Sequence, residues 1–461
     1  MRKFLLFVLV LLISLCSCRP NLPVVVEPSE ISSGDTTTYY EVSDVYSETR
    51  GLNNTGPVSS ESKNTSSHDA SSKENLNKPS EHGFDLSSLY PEKIQPPPYN
   101  RRWNYIQLSD KHKSAYENLY NAVLNMREGM ISLGKCSYNE LVLIYNAVKN
   151  DFPEIFWIPD QFAYDTDASG NIRIAFKYTF SDGKRIDYLY TAKERENMAA
   201  QIRNALADAL RYINDGMSAY NKELALHEWL VFRVTYDRET AEDTQKNPNA
   251  FNIYGALVEG RAVCEGYSRA MQLLLRMVGI ECILVTGKIE DTGHMWNMVR
   301  LDGEWYHLDA TWNDSGDSGY HSYFNVTDQA ILADHQIDPD YSTVPAQNLS
   351  AGHSFNINRP VAQGMKYNYF FVNNTLIENR ETMADTIVNG LIEAASLGKN
   401  SCEFAFSSGY GRIYENPGAL LLEIKLMRCV ERANSVSDIK INVSRLYCEG
   451  ITGSTAFRLR W

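Results

Sequence analysis

The stretch from residue 255 to residue 314 constrains the fold of this 461-residue chain more than any other part. It contains Cys264, after which apolar residues recur at the spacing of one helix face: Ala270, Leu273, Leu274 and Met277. A thiol at the start of a helix meets the positive end of the backbone dipole and unpaired N–H groups, and both favour the thiolate. The pattern therefore predicts a helix that begins at a reactive cysteine.

A hairpin is predicted to follow this helix. The dipeptide Asp302-Gly303 is a strong signal for a two-residue turn between two strands, Met295–Leu301 and Glu304–Thr311. Opposed residues of a hairpin share one face of the sheet. The predicted register therefore pairs Leu301 with Glu304, Trp296 with Asp309, and His294 with Thr311.

In that register His294 and Asp309 are diagonal neighbours on one face of the hairpin, within hydrogen-bonding reach. His307 shares the face but lies further along the ladder, which makes it the weaker candidate for a base. A thiol, a histidine and an aspartate in this order indicate a nucleophile, a general base and a carboxylate that orients the base.

These segments resemble the transglutaminase-like superfamily. Residues 254–270, YGALVEGRAVCEGYSRA, are similar to its nucleophile segment, and the runs HMWNMV and WYHLDATW are similar to its two strand motifs. That family uses a papain-like triad, so the resemblance implies that Cys264 is the nucleophile, His294 the base and Asp309 the orienting residue. Asn313 departs from the pattern, because bacterial relatives often have Asp there, but it lies outside the triad.

The resemblance also implies the fold class. We expect an α+β chain whose papain- or transglutaminase-like core packs the nucleophile helix on an antiparallel sheet. The catalytic domain is placed at residues 219–338, between a small α+β domain at 103–218 and an α/β domain at 365–461. In the last domain we predict a strand at Tyr367–Val372 and a helix at Pro417–Cys429, and we expect it to pack against the core or to present substrate.

The N-terminus predicts export. Two basic residues precede the apolar run Phe4–Leu15, which is too short to span a bilayer. The following LCSC resembles a bacterial lipobox, so we predict a signal peptide at 1–18 and a lipoprotein anchored to the cell membrane through Cys18. An ordinary secretory signal is the alternative, and either one places the protein outside the cytoplasm. Residues 19–100 are poor in large apolar residues, which predicts a disordered tether.

Charge and cysteine content exclude several classes of protein. The net charge of −13, with no basic cluster in the predicted folded part, argues against nucleic acid as a partner. Six cysteines follow the signal: Cys136, Cys264, Cys282, Cys402, Cys429 and Cys448. If Cys264 stays free, the other five cannot all pair within one chain. The absence of a CxxC pair argues against a structural zinc site, and no metal or cofactor is expected.

A few residues near the triad are candidates for substrate contacts. Tyr254 and Tyr267 flank the nucleophile and are candidates for an oxyanion pocket or a subsite, while Trp296 is a candidate for the border of the substrate groove. For all three, packing is the competing interpretation. His227 lies on a predicted helix, where packing or capping is commoner than catalysis.

Three functions stay open. The first is thiol acyl chemistry on peptide, protein or cell-wall amides, in which the acyl group passes to water or to an amine. The second is a surface binding module that keeps the fold without turnover. The third is a metal site built from the same cysteine, histidine and aspartate, although a hydrogen bond between His294 and Asp309 would use up that geometry.

Overall fold

The computed structural model describes residues 38–40, 84–91, 94, 102–159, 162–179, 183–314, 321–338, 358–407, 425–437, 440–442, 446–450 and 455–461. The predicted signal peptide with Cys18 and most of the predicted tether lie outside these residues. Within them, no helix is both long enough and apolar enough to cross a bilayer. Helices and antiparallel sheets are mixed along the chain, which confirms the α+β class.

The N-terminal part combines four helices with a four-stranded antiparallel sheet of order β1-β3-β4-β2. Its helices are α1 (Trp103–Gln107), α2 (Asp110–Leu124), α3 (Tyr138–Asp151) and α4 (Ala192–Ala209). The strands of the sheet are β1 (Thr38–Tyr40), β2 (Ile131–Gly134), β3 (Phe162–Thr166) and β4 (Ile172–Ala175). A short hairpin, β5 (Tyr178–Thr179) and β6 (Arg185–Ile186), precedes α4. A capping box of Ser137 and Glu140 fixes the start of α3, since each side chain binds the backbone N–H of the other residue.

The central part places one long helix against a five-stranded antiparallel sheet of order β12-β11-β10-β9-β13. Its helices are α5 (Ala219–Arg233), α6 (Arg238–Glu242), α7 (Cys264–Met277), α8 (Ala310–Asn313) and α9 (Asp328–Ile331). The sheet strands are β9 (Glu281–Ile289), β10 (Thr292–Leu301), β11 (Glu304–Leu308), β12 (Phe324–Val326) and β13 (His335–Ile337). The parallel pair β7 (Thr235–Tyr236) and β8 (Arg261–Ala262) leads into α7.

The hairpin of β10 and β11 has the predicted turn. Asp302 and Gly303 both have positive φ, 49° and 89°, as a two-residue primed turn requires, and Leu301 pairs with Glu304. The second strand, however, was predicted too long: it ends at Leu308 rather than at Thr311. The carboxylate of Asp309 accepts the N–H groups of the two residues after Ala310 and starts α8, so His294 has no strand partner at Thr311.

Helix α7 is fixed to the end of α3. Arg269, Gln272 and Arg276 donate to the backbone carbonyls of residues 149–151 at 2.5, 3.1 and 2.8 Å. The last carbonyls of a helix have no partner within that helix, so these side chains satisfy them. One hydrophobic cluster runs through both parts, from Leu86 to Phe324. The nucleophile helix therefore rests on the N-terminal part, while the domain boundaries themselves stay predictions.

The C-terminal part has a four-stranded sheet of order β14-β15-β17-β16, in which only β14 and β15 are parallel. Its elements are α10 (Tyr369–Val372), β14 (Leu376–Ile377), α11 (Met383–Ser396), β15 (Ser401–Phe406), α12 (Leu426–Val436), β16 (Tyr447–Gly450) and β17 (Ala456–Arg460). The predicted strand at Tyr367–Val372 is wrong, because the Asn368 side chain caps two N–H groups and starts α10. The helix predicted at Pro417–Cys429 overlaps α12 only at 426–429, because α12 begins at Leu426 and ends at Val436, and residues 417–424 lie outside the described part of the chain.

Candidate active site

Cys264 is the first residue of α7, as the sequence predicts. The preceding residue, Val263, has no side-chain acceptor, so no side chain caps the first turn of the helix. The thiol is free and only 2% exposed. It belongs to a small buried cluster with residues from the segment 241–251 and from the sheet: Ala241, Ala250, Phe251, Leu284 and Met295. The helix start thus offers unpaired N–H groups at a sheltered thiol.

A tight backbone approach shelters the thiol. The 3₁₀ turn Pro248–Phe251 lies so close to α7 that a Cβ at Gly266 would come within 2.4 Å of the Ala250 carbonyl oxygen. The same carbonyl accepts the N–H of Val263 at 3.0 Å. Helix α6 and this turn both contribute side chains to the cluster around Cys264.

His294 and Asp309 meet in the fold. The Nε2 of His294 lies 2.6 Å from Oδ2 of Asp309, and both side chains are buried. Because an ionised carboxylate only accepts, the bond places the ring proton on Nε2 and leaves the basic lone pair on Nδ1. Helix α7 is tied to the same strand at Met295 and at Asn297, since Ser268 donates to the Met295 carbonyl and Asn297 donates to the Ser268 carbonyl.

Asp309 holds both of its oxygens in defined bonds. Oδ1 accepts the backbone N–H groups of Thr311 and Trp312 at 2.9 and 3.1 Å. Oδ2 accepts from His294 and also from His335, whose Nε2 lies 3.1 Å away. Burial raises the pKa of Asp309, but the charge of His294 and the bonds from both histidines outweigh it and hold this pKa well below its usual range. The carboxylate is therefore ionised at neutral pH.

His335 is the residue that sequence reasoning missed. It begins β13, the edge strand beyond β9, and its ring lies 5.4 Å from the ring of His294 between centroids. The sequence offered one weak signal, the acidic neighbour Asp334, whose Oδ1 lies 2.6 Å from the other ring nitrogen of His335. Nothing in the local pattern indicates that β13 returns to β9, because that pairing joins residues about fifty positions apart.

The two other histidines considered from the sequence lie in structural positions. His307 accepts the indole N–H of Trp296 at 2.9 Å and contacts Asp328 at 2.8 Å, and burial lowers the pKa of His307 to about 4. His227 on α5 bonds the amide of Asn313 at 3.0 Å, and burial holds the pKa of His227 well below its usual range. Among the described residues, Asp309 makes hydrogen bonds to neither ring.

The three candidate substrate residues have different surroundings. Trp296 is fully buried and its indole lies nearly parallel to the His294 ring, 5.8 Å away, so it packs against the base. The Tyr267 hydroxyl donates to Asp314 at 2.5 Å from within the core. The Tyr254 hydroxyl contacts Gln201 of α4 at 3.1 Å. Roles for these residues in an oxyanion pocket or a subsite stay predictions.

The ligand atoms of His294, Asp309 and His335 lie within 4.8 Å of one another, which makes them the one group of potential metal ligands in the described part of the chain. This set differs from the one predicted for a metal, because His335 stands where Cys264 was expected. Both Nε2 atoms already contact the same carboxylate oxygen. The hydrogen-bonded arrangement therefore accounts for the geometry without an ion.

Part of the chain is similar in sequence to known proteins. The sequence profile of the transglutaminase-like superfamily matches residues 204–310, which include all three predicted triad residues. Kyphoscoliosis peptidase of Mus musculus is 27% identical over 112 residues, 22% of this chain and 17% of that protein. The Homo sapiens protein of the same name is 28% identical over 100 residues, 19% of this chain and 15% of its own length. The chain thus spans under a fifth of the length of these relatives.

Two solved structures share weaker likenesses. One is a crystal structure of a TGase, with a TM-score of 0.25 and 15% identity, covering 47% of this chain and 57% of that chain. The other is a protein from Cytophaga hutchinsonii proposed to be a cysteine protease, with a TM-score of 0.22 and 18% identity, covering 29% of this chain and 40% of its own.

Proposed function

We propose, on the premise that residues 204–310 form a transglutaminase-like domain, that this chain is a thiol enzyme acting on peptide or protein amides through an acyl-enzyme on Cys264. The observation that carries the proposal is the buried hydrogen bond between His294 and Asp309. His294 lies on β10, and the Ser268 side chain ties α7 to this strand just after the helix start. That bond fixes the tautomer of the base, which is the task of the third member of a triad.

The chemistry follows from these groups. The Cys264 thiol gives its proton to the lone pair of His294, and the thiolate sulfur bonds to the carbonyl carbon of the amide. Negative charge moves to the carbonyl oxygen, which the uncapped N–H groups of the first turn of α7 can stabilise. The C–N bond then breaks and the His294 imidazolium returns the proton to the leaving amine. Asp309 stays ionised throughout and stabilises the imidazolium.

The thioester has two fates. Water activated by His294 releases a carboxylic acid and restores the thiol, whereas an amine gives a new amide and a cross-link. The peptidase name of the mouse and human relatives favours water as the acceptor. The predicted export of the chain, with a lipid anchor on Cys18, favours substrates outside the cytoplasm, namely surface peptides, proteins or cell-wall amides.

Alkylation of Cys264 tests the proposal without a known substrate. The purified protein is treated with iodoacetamide near neutral pH, with and without a chelator, and labelling at each cysteine is followed by peptide mass spectrometry. We expect Cys264 to react faster than a free cysteine in solution, and His294→Asn to remove that advantage. His307→Asn is the matched control, because His307 is an equally buried histidine that makes no bond to Asp309. Equal slow labelling of wild type and both variants would reject the proposal.

One observation favours a second candidate, a binding module on the same fold. The thiol is nearly inaccessible, since α6 and the turn at Pro248–Phe251 cover it. If that cover stays closed, Cys264 cannot reach a substrate and the surface acts only by binding. The same labelling separates the candidates, because a permanently covered thiol stays unlabelled while the protein is folded and is labelled after denaturation.

A further inference from the structure

We propose that His335 is a positioning residue, which fixes Asp309 for His294 and limits how strongly that carboxylate holds the imidazolium. The inference rests on the proposed function, because it concerns the same triad. It adds a residue from outside the 204–310 match, supplied by the edge strand β13.

The geometry is a chain of hydrogen bonds across the sheet. The Nε2 of His335 lies 3.1 Å from the same Asp309 oxygen that His294 approaches at 2.6 Å. On its other side, Nδ1 of His335 lies 2.6 Å from Oδ1 of Asp334. The second oxygen of Asp334 accepts the hydroxyl proton of Tyr323 at 2.7 Å. Each bond restrains the next side chain, so the His335 ring that contacts Asp309 is itself held in a fixed orientation.

Aromatic side chains hold the His335 ring in place. Trp296 meets it edge to face at 5.1 Å, and Trp312 and Tyr323 lie at 5.7 and 5.3 Å between ring centroids. The ring is fully buried, with about 1% of the residue exposed. A buried ring with both nitrogens directed at carboxylates cannot rotate without leaving a buried carboxylate without its partner, which is unfavourable.

A glycine allows the backbone to deliver this ring. Gly287 of β9 lies between His294 on one neighbouring strand and Ile337 on the other. A Cβ at Gly287 would lie 2.0 Å from the carbonyl oxygen of Gln336 and 2.8 Å from the Trp296 ring. Only a residue without a side chain permits β13 and Trp296 to approach at this point, so the placement of His335 depends on Gly287.

The contact with His335 weakens the interaction between Asp309 and the His294 imidazolium. A second N–H donor on Oδ2 withdraws electron density from the oxygen that pairs with His294. Without that donor, Asp309 would hold the His294 imidazolium more strongly, and the thiolate–imidazolium pair would persist to higher pH. Asp309 would also lose one of its four restraints, and a misplaced catalytic group reduces turnover by roughly tenfold to a hundredfold.

Several ionisable groups surround His335, and all of them except His307, whose pKa burial lowers to about 4, can enter the pH dependence. They come from each element that packs against it: Asp309 after β11, His307 on β11, His294 on β10, Tyr323 before β12 and Asp334 beside β13. Of these, only Asp309 and His294 belong to the proposed triad. The test therefore compares variants at a single pH-dependent reaction, the alkylation of Cys264.

The experiment measures the rate of Cys264 alkylation by iodoacetamide from about pH 5 to about pH 10 in the full-length protein, together with the thermal midpoint of each variant. His335→Phe keeps an aromatic ring at this position and removes both ring nitrogens. His335→Gln retains an N–H donor near the position of Nε2. His307→Phe is the matched control, because it removes a buried histidine of the same sheet that does not contact Asp309.

We expect His335→Phe to raise the pH midpoint of the alkaline limb of the labelling profile by roughly half a pH unit to one pH unit. His335→Gln and His307→Phe should keep the wild-type midpoint. An unchanged profile in His335→Phe, or an equal shift in His335→Gln, would overturn the inference, since packing rather than the donor would then matter. If wild-type Cys264 labels no faster than a free cysteine, the proposed function itself fails.

A measurement on the wild-type protein covers the case in which His335→Phe does not fold. In ¹⁵N-histidine spectra, the Nε2 of both His294 and His335 should carry an exchange-protected proton, and Asp309→Asn should perturb both resonances. An Nε2 of His335 without a proton would overturn the inference, because the ring could not then donate to Asp309.

Discussion

The contact between the central and C-terminal parts predicts a specific loss of stability at alkaline pH. Oε2 of Glu403 on β15 accepts the backbone N–H of His321 at 3.0 Å and lies 3.1 Å from its ring Nδ1. The ring stacks on Tyr369 at 3.8 Å, and Glu228 lies 3.4 Å from the other ring nitrogen. Burial lowers the pKa of His321, but the charge of Glu403, its hydrogen bond with the ring and the charge of Glu228 raise this pKa to about 9.

The size of the effect follows from that shift. A histidine has a pKa near 6.5 in the unfolded chain, so the difference corresponds to about 3 kcal/mol of folding free energy. Because the folded-state pKa is the higher one, the stabilisation is fully present below about pH 6.5 and is lost as the pH rises through about 9. Glu403 stays ionised over this range, since the charges of His321 and Arg458 outweigh its burial and lower its pKa.

Urea denaturation at about pH 6 and about pH 10 measures the effect. Other groups also titrate in this range, so the quantity of interest is the loss in wild type minus the loss in His321→Gln. We expect that difference to be about 3 kcal/mol, and we expect Glu403→Gln to reduce the loss in the same way. Equal losses in wild type and His321→Gln would refute the reasoning, because the ring would then gain no charge stabilisation on folding.

Three further predictions concern the site and the export signal. Cys264→Ala should abolish acyl transfer at a cost of about 1 kcal/mol in stability, measured by turnover and thermal unfolding; wild-type turnover would contradict it. Asp309→Asn should slow turnover roughly a hundredfold or more and also slow thiol labelling, because the amide can orient the His294 ring wrongly. Both effects should exceed those of His307→Asn and His227→Asn, although the amide oxygen can still cap α8. Cys18→Ala should release the protein from the membrane fraction, and mass spectrometry showing an unmodified mature N-terminus on wild-type protein would remove that prediction.

Local patterns predicted the parts of the site that lie close together in sequence. The apolar spacing after Cys264 predicted where α7 begins, and the Asp302-Gly303 turn predicted the register that brings His294 near Asp309. Both signals act over a few residues, where turn chemistry and helix periodicity decide the backbone. His335 could not be found in this way, because its place depends on a strand pairing to β9 and on the missing side chain of Gly287.

The one error in the hairpin lies at the residue on which the site depends. If the strand continued regularly through Asp309, the Asp309 side chain would stand on one face of the sheet, and no backbone N–H would restrain either carboxylate oxygen. Instead the chain leaves the strand after Leu308, and Oδ1 of Asp309 binds two backbone N–H groups as the cap of α8. That cap fixes the carboxylate, so Oδ2 is held in place for His294 and His335. The local preference of aspartate for a helix start thus sets the position of Asp309 in the proposed triad, because one side chain caps α8 through Oδ1 and contacts the histidines through Oδ2.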